Sequence, residues 1–271
     1  MSMFRSARRT AAVASVAFFV VVAGSCGAKT SKLSDADAKL ETVEEVAHWS
    51  YEGADGPANW GSLDPSFTAC ADGSAQTPID ILNPVPTDLP DPLFNYVPGK
   101  AEITNNGHTI HVGATPGSSM VVNGKIYNLL QAHFHAPSEH TIAGKSYPAE
   151  VHFVHEADDG SLAVVGVLLT VGGADNPAWS SFVKGLPTQV GETKTATFDW
   201  LSMYPADHQT IRYDGSLTTP PCSEGVSWLV MSTPVEISDA QLKDFEAAYN
   251  GNNRPIEPLN GRSIQIDSTK K

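Results

Sequence analysis

QAHFHAPSEHTIAGKSYPAEVHFVH, residues 131–155, holds five of the chain's nine histidines. Side chains on a β-strand alternate between its two faces. With residues 131–135 extended, Gln131, His133 and His135 share one face, the two histidines about 6.6 Å apart along the strand, and Ala132 and Phe134 take the other. Gly144, in the following TIAGKSY, lets the chain turn and return as an antiparallel neighbour. There Glu150, His152 and Val154 share a face, opposite to Val151, Phe153 and His155. Two histidines from one strand and one from its neighbour can converge on a single ion. Three neutral nitrogens with a fourth tetrahedral position open are the layout of a catalytic zinc site, not a structural one. A lone strand histidine is ordinarily just a satisfied polar residue. His140, beyond the strand, and His155, on the wrong face, are therefore read as scaffold.

The chain has 271 residues, room for one large domain or two small ones. Its 22 Gly and 19 Pro make it rich in turns, which suits a β-rich architecture better than a helical bundle. Residues 1–25 read as an export leader. Arg5, Arg8 and Arg9 precede a largely apolar run over residues 11–24, too short for a comfortable membrane span. Ala23, Gly24 and Ser25 form a small-residue cleavage pattern, and Cys26 follows directly, as in a lipobox with Ala23 where Leu is usual. Two mature forms stay open: a chain anchored to a membrane through a lipid on Cys26, and a soluble exported, periplasmic one. Without the leader's three Arg, the basic residues fall from 17 to 14 against 30 acidic, a net charge of −16. That excludes nucleic acid as a partner, since phosphates call for a basic surface. Cys70 and Cys222 remain in an oxidising compartment. Paired, they would close a loop of about 150 residues and stabilise by roughly 3–5 kcal/mol; two buried thiols are the alternative.

Residues 26–46 are polar and read as a tether with at most a marginal helix begun at Ser34. The globular domain is expected over residues 47–268, opening on the Trp- and Gly-rich segment HWSYEGADGPANW. From Cys70 to about Val235, short apolar runs alternate with turn residues. Asn-Gly at 106–107 and 123–124 signals hairpins. Residues 164–171 are nearly all apolar, as in a central strand buried on both faces. A helix is expected after Ser238, which caps DAQLKDFEAAYN, with Gly251 stopping it and Leu242, Phe245 and Tyr249 on its core face.

Three pieces join the histidines. In GSLTTPPC (residues 215–222), two Thr before two Pro make a rigid loop. A Thr hydroxyl there can accept from a metal-bound species and donate to a carboxylate such as Glu139. In NNGH (residues 105–108), His108 has a side chain that titrates near neutrality and can relay protons. QTPIDI (residues 76–81) reads as a loop entering a strand.

Taken in order, QTPIDI, NNGHTIHV, HFHAPSEH, PAEVHFVH, AVVGVLLTVG, GSLTTPPCSEGVSW and RPIEPLNGR resemble an α-class carbonic anhydrase of bacterial type, over roughly residues 48–264. The resemblance implies an α+β, β-dominated single domain around a large twisted, mixed but mostly antiparallel ten-stranded sheet with a few peripheral helices. It implies Zn2+ on His133, His135 and His152, with Gln131 and Glu150 orienting His133 and His152, and His135 donating to a backbone carbonyl. It implies Thr218 backed by Glu139 as the orienting hydroxyl, Thr219 near the substrate, and His108 as proton shuttle. Tyr51 and Asn106 match its water network; Val154, Val164, Leu217, Val226 and Trp228 match the apolar wall for carbon dioxide. Cys70–Cys222 matches its disulfide, and Thr77-Pro78 and Pro220-Pro221 its cis peptides. His111 departs from the pattern, standing where an Asn is common, and receives no role. The implied partners are carbon dioxide and bicarbonate, with a homodimer as in many bacterial members.

Two rivals are weighed against this. HFHAPSE carries the His-x-His-x3-Glu spacing of cupin metalloenzymes, but Tyr127 stands where that pattern wants Gly, and LTTPPC is left without a role. A catalytically inactive, carbonic-anhydrase-like binding module would typically have lost a metal ligand, and all three histidines are present.

Overall fold

The computed structural model describes residues 47–184 and 186–268. The leader, Cys26 and the tether lie outside them. One large sheet organises the domain. Its continuous path runs through ten strands: Thr193–Phe198, Gly99–Asn105, Ile110–Gly113, Lys125–His135, Ala149–Glu156, Leu162–Val171, Glu224–Met231, Thr210–Ser216, Gln265–Asp267 and Val85–Thr87. Three short strands attach to it, Leu93–Asn95, Ser119–Val122 and Val235–Ile237. Most pairs are antiparallel. Leu162–Val171 runs parallel to Glu224–Met231 and to Val235–Ile237, and Gln265–Asp267 parallel to Val85–Thr87, so the sheet is mixed.

Period-two alternation along the apolar strand Leu162–Val171 explains why this sheet has two cores. Ala163, Val165, Val167 and Leu169 enter a large cluster with Phe134, Phe153, Leu229 and Met231. The helices Pro177–Val183 and Asp239–Ala248 cover that cluster with Trp179, Phe182, Leu242 and Phe245. Val164 and Leu168 face the other way, into a smaller cluster with Val154, Val226 and Trp228. The C-terminal helix has its expected Ser238 cap, completed into a capping box by Gln241. It ends at Ala248, with Tyr249 already extended, so it stops before Gly251.

Asn123 and Gly124 both have positive φ and turn the strand Ser119–Val122 directly into Lys125–His135. The Asn-Gly at 106–107 lies instead in a longer loop, closed by Asn106 N–H on Thr109 O at 3.2 Å. One expectation is corrected. Residues 141–147 are more than a turn between the histidine strands. Thr141–Ile142 and Lys145–Ser146 form a small hairpin about Ala143 and Gly144, and Thr141–Ile142 pairs with Asp80–Ile81 in a separate three-stranded sheet.

Candidate metal centre

The two histidine strands pair antiparallel, with His152 opposite His133 and Glu150 opposite His135. A bulge where Leu129 and Gln131 face His155 and Val154 changes the phase of the alternation. Upstream of it, Tyr127 and Leu129 point into the large core; downstream, Gln131, His133 and His135 do not, while Ala132 and Phe134 do.

Each of the three rings is braced at one nitrogen. His133 Nδ1 lies 2.8 Å from Gln131 Oε1, and His135 Nδ1 lies 2.6 Å from the Asn252 carbonyl. His152 Nε2 faces Glu150 Oε1 at 3.0 Å, close in distance but too bent for a full hydrogen bond. One nitrogen from each ring falls within 4.8 Å of the others. His135 Nε2 is buried with no hydrogen-bond partner, an orphan that a cation would satisfy. Burial lowers the pKa of all three, His135 to about 4, so the rings are neutral and available as ligands. This donor set fits a zinc ion.

The surrounding carboxylates play opposite parts. Glu150 Oε2 accepts from the backbone N–H groups of Glu139 and His140, at 3.0 and 2.9 Å, and Oε1 lies 2.7 Å from His140 Nδ1. Burial pushes its pKa up, but His140 and His152 together pull harder, and it ends well below the ordinary value. Glu139 has fewer donors. Its Oε1 accepts from Arg254 N–H at 2.8 Å, and burial raises it to about 7 against the pull of His152, Arg254 and the Thr218 hydroxyl. His140 is scaffold, its second nitrogen 2.5 Å from the Tyr213 hydroxyl. His155 lies on the far side, bonded to Tyr96.

The threonine loop is held from three directions. Ser216 and Thr77 exchange backbone and hydroxyl hydrogen bonds, both at 3.0 Å. Gly215 lies so close to Thr77 that a Cβ there would sit 2.1 Å from its Oγ1. Pro220-Pro221 is cis, as are Thr77-Pro78 and Ala136-Pro137, the last not foreseen. Cys222 is disulfide-bonded to Cys70, with Cα atoms 5.0 Å apart. Thr218 is buried, and Thr219 lines a cavity of about 120 Å3 with Tyr51, Asn106, His108, His111, His133 and His135. Val154, Val164, Val226 and Trp228 share one buried cluster with Leu217 against it, and the Trp228 ring meets His152 edge-on at 4.8 Å.

Trp49, Asn252 and Arg254 contribute without any sequence signal of their own, and Asn106 does more than the sequence suggested. Trp49 stacks face to face on His108, with centroids 3.7 Å apart. Asn252 braces His135 and also accepts the Ala136 N–H. The buried Arg254 guanidinium bonds Gln76, Thr77 O and Cys70 O, tying the disulfide to the segment that holds Glu139. Asn106 uses its Oδ1 to fix the N–H groups of His108 and Thr109, shaping the loop under His108.

The cupin rival fails on this geometry, because the sheet is open and Glu139 stands behind the histidine trio as an acceptor for Arg254. A model of the family described as eukaryotic-type carbonic anhydrase matches residues 55–268. A carbonic anhydrase of Pectobacterium carotovorum is 41% identical over 227 residues, 82% of this chain and 92% of that one. One of Neisseria gonorrhoeae is 42% identical over 220 residues, 80% and 87% of the two chains. The α-carbonic anhydrase of Thermovibrio ammonificans, solved with the inhibitor sulfanilamide, superposes with a TM-score of 0.78 at 43% identity, covering 81% of this chain and 99% of that one. With the trio, its braces and the threonine loop in the arrangement just described, the chain belongs to the eukaryotic-type, or α, carbonic anhydrase family of enzymes.

Proposed function

We propose that this protein catalyses the zinc-dependent reversible hydration of carbon dioxide to bicarbonate and a proton. The observation that carries it is the trio of braced, neutral histidines with a buried unpartnered nitrogen on His135. His133, His135 and His152 hold the ion. A zinc ion so held acts as a Lewis acid that makes water acidic near neutral pH, to about 7 in carbonic anhydrase itself, the reference case for that value.

The chain's own residues do the rest. Thr218 gives its proton to Glu139 and keeps a lone pair for the attacking oxygen, so it orients a nucleophile that still carries a proton. Val154, Val164, Leu217, Val226 and Trp228 hold carbon dioxide against an apolar wall, with Thr219 at the cavity edge. Tyr51 and Asn106 line the cavity of about 120 Å3 that His108 shares with His133 and His135. His108 takes the released proton towards solvent. Burial, and then His48, lower its pKa, which favours handing the proton on. Purified protein loaded with one zinc should hydrate carbon dioxide in a stopped-flow assay; stoichiometric zinc without activity refutes the proposal.

We also propose export, since the Cys70–Cys222 disulfide suits an oxidising compartment. Intact mass decides between a lipid on Cys26 and a soluble N-terminus, and sedimentation tests the homodimer.

A further inference from the structure

Beside the paired strands Thr210–Ser216 and Glu224–Met231 lies a groove of about 570 Å3, lined by residues from both of their faces. Alternation builds it. The paired strands Thr210–Ser216 and Glu224–Met231 turn Tyr213 and Trp228 towards the histidines and send Arg212, Asp214, Ser227 and Leu229 to the other side. The groove is several times larger than the cavity beside the trio, and it falls in the range of small-molecule sites, roughly 300–1,000 Å3.

Lys125, Arg212 and Arg262 meet there from distant parts of a chain with 30 acidic and only 17 basic residues. Among the described residues lining the groove, Asp214 is the one carboxylate. Lys125 pairs with Asp159 outside the lining, at 2.7 Å. The Arg262 guanidinium donates to the carbonyls of Leu259, Asp214, Gln76 and Pro258 and lies over the Tyr213 ring, with the carboxylates of Glu224, Asp214 and Glu257 near it. Arg212 is the most telling. Its side chain is buried, with Nε donating to Thr210 Oγ1 at 2.8 Å and Nη2 to Pro90 O at 2.7 Å, while Nη1 has no hydrogen-bond partner. Burial lowers its pKa, and the carboxylates of Asp267 and Asp91 act against that shift. Half-buried Leu89 adds apolar surface beside these cations, over the buried Val122 and Leu229.

We propose that this groove binds a small organic oxyanion, a carboxylate or a phosphate monoester with an apolar body. Guanidinium groups suit oxyanions of either kind, and the leucine and valine side chains suit the body. None of the three histidines lines the groove, although Trp228 belongs both to its lining and to the apolar wall beside them.

The test is calorimetric titration of zinc-loaded protein at low ionic strength, with the metal cavity first blocked by sulfanilamide. Phenyl phosphate and benzoate are the probes. At least one should bind with a dissociation constant below about 1 mM, the tighter of the two assigning the head group. Arg212→Gln and Ser227→Asp should each weaken binding tenfold or more. Ser227→Asp adds a negative charge to the groove wall without removing a buried cation, so it decides the matter even if Arg212→Gln does not fold. Inorganic phosphate should bind at least tenfold more weakly than the better probe. Absence of binding at 10-fold higher probe concentration, affinity unchanged by Ser227→Asp, or equal binding of inorganic phosphate overturns the proposal.

Discussion

Gly166→Ala should weaken zinc binding although residue 166 is no ligand. Gly166 lies opposite His152 in the middle of the strand Leu162–Val171, with ordinary extended backbone. On backbone grounds alone, alanine there would be neutral or stabilise by about 0.4–1 kcal/mol. Contact decides otherwise. A Cβ at this position would sit 2.9 Å from Glu150 Oε1 and 3.6 Å from Val230 Cγ2. Restoring a normal separation requires the carboxylate to move by roughly half an ångström. Glu150 is not free to do so, because both oxygens are engaged by Glu139 N–H, His140 N–H and the His140 ring, and Oε1 also faces His152. The displacement therefore reaches the His152 ring. Loss of such an orienting partner typically costs 10–100-fold in metal affinity, and overpacking destabilises by about 1–3 kcal/mol. We expect the zinc dissociation constant to rise about tenfold, read by competition with a chromophoric chelator, with urea unfolding of the metal-free protein in parallel. Gly113→Ala is the control: it pairs with Gln131 next to the same strand, but its nearest atom, Glu102 O, is 4.0 Å away, so zinc affinity should not change. Affinity of Gly166→Ala within twofold of the parent, or equal weakening in Gly113→Ala, refutes the reasoning.

Three further outcomes are expected. His108→Ala should slow turnover in dilute buffer by roughly tenfold or more and recover with added imidazole; an unchanged rate removes His108 from proton transfer. Replacing both Cys70 and Cys222 by Ser should cost about 2–5 kcal/mol, seen as a lower urea midpoint, and an unchanged midpoint rules the stabilisation out. His155 is held neutral by burial, its pKa lowered from 6.5 to about 3. Below about pH 6.5 the unfolded chain takes up a proton that the folded one refuses until about pH 3, so stability falls as pH drops through that window, by up to about 1.4 kcal/mol per pH unit from this group. His155→Gln should flatten that part of the urea-midpoint profile, and parallel profiles would show that His155 does not set it.

What the sequence made legible depended on whether the physics was local. Alternation over residues 131–135 and 150–154 placed the three histidines on one face because strand geometry needs only near neighbours, and the Asn123-Gly124 turn was read from two residues. The bulge beside Leu130 escaped notice because nothing in QAHFH distinguishes a strand whose phase has just changed. The small hairpin at residues 141–146 escaped because it is held by Asp80–Ile81, sixty residues upstream. Asn252 and Arg254 brace His135 and Glu139 from more than a hundred residues away, so no spacing rule reaches them. Resemblance alone supplied the apolar wall for the same reason: its meaning lies in what it meets.

The two buried glutamates show how one strand pair can set opposite electrostatic states a few ångströms apart. Both are removed from water, and burial pushes both towards the neutral form. Glu150 escapes because His140 and His152 crowd one of its oxygens and pull its pKa down, while the turn after the first histidine strand aims two backbone N–H groups at the other. Glu139 has one backbone donor, Arg254, and depends on Thr218 for the rest. An anion at Glu150 is what an imidazole brace needs, since it holds the His152 ring without itself competing as a donor. A weakly supported carboxyl at Glu139 is what a hydroxyl partner needs, since it accepts from Thr218 only when the hydroxyl points its proton away from the metal trio. Environment, and not residue type, divides the labour between them.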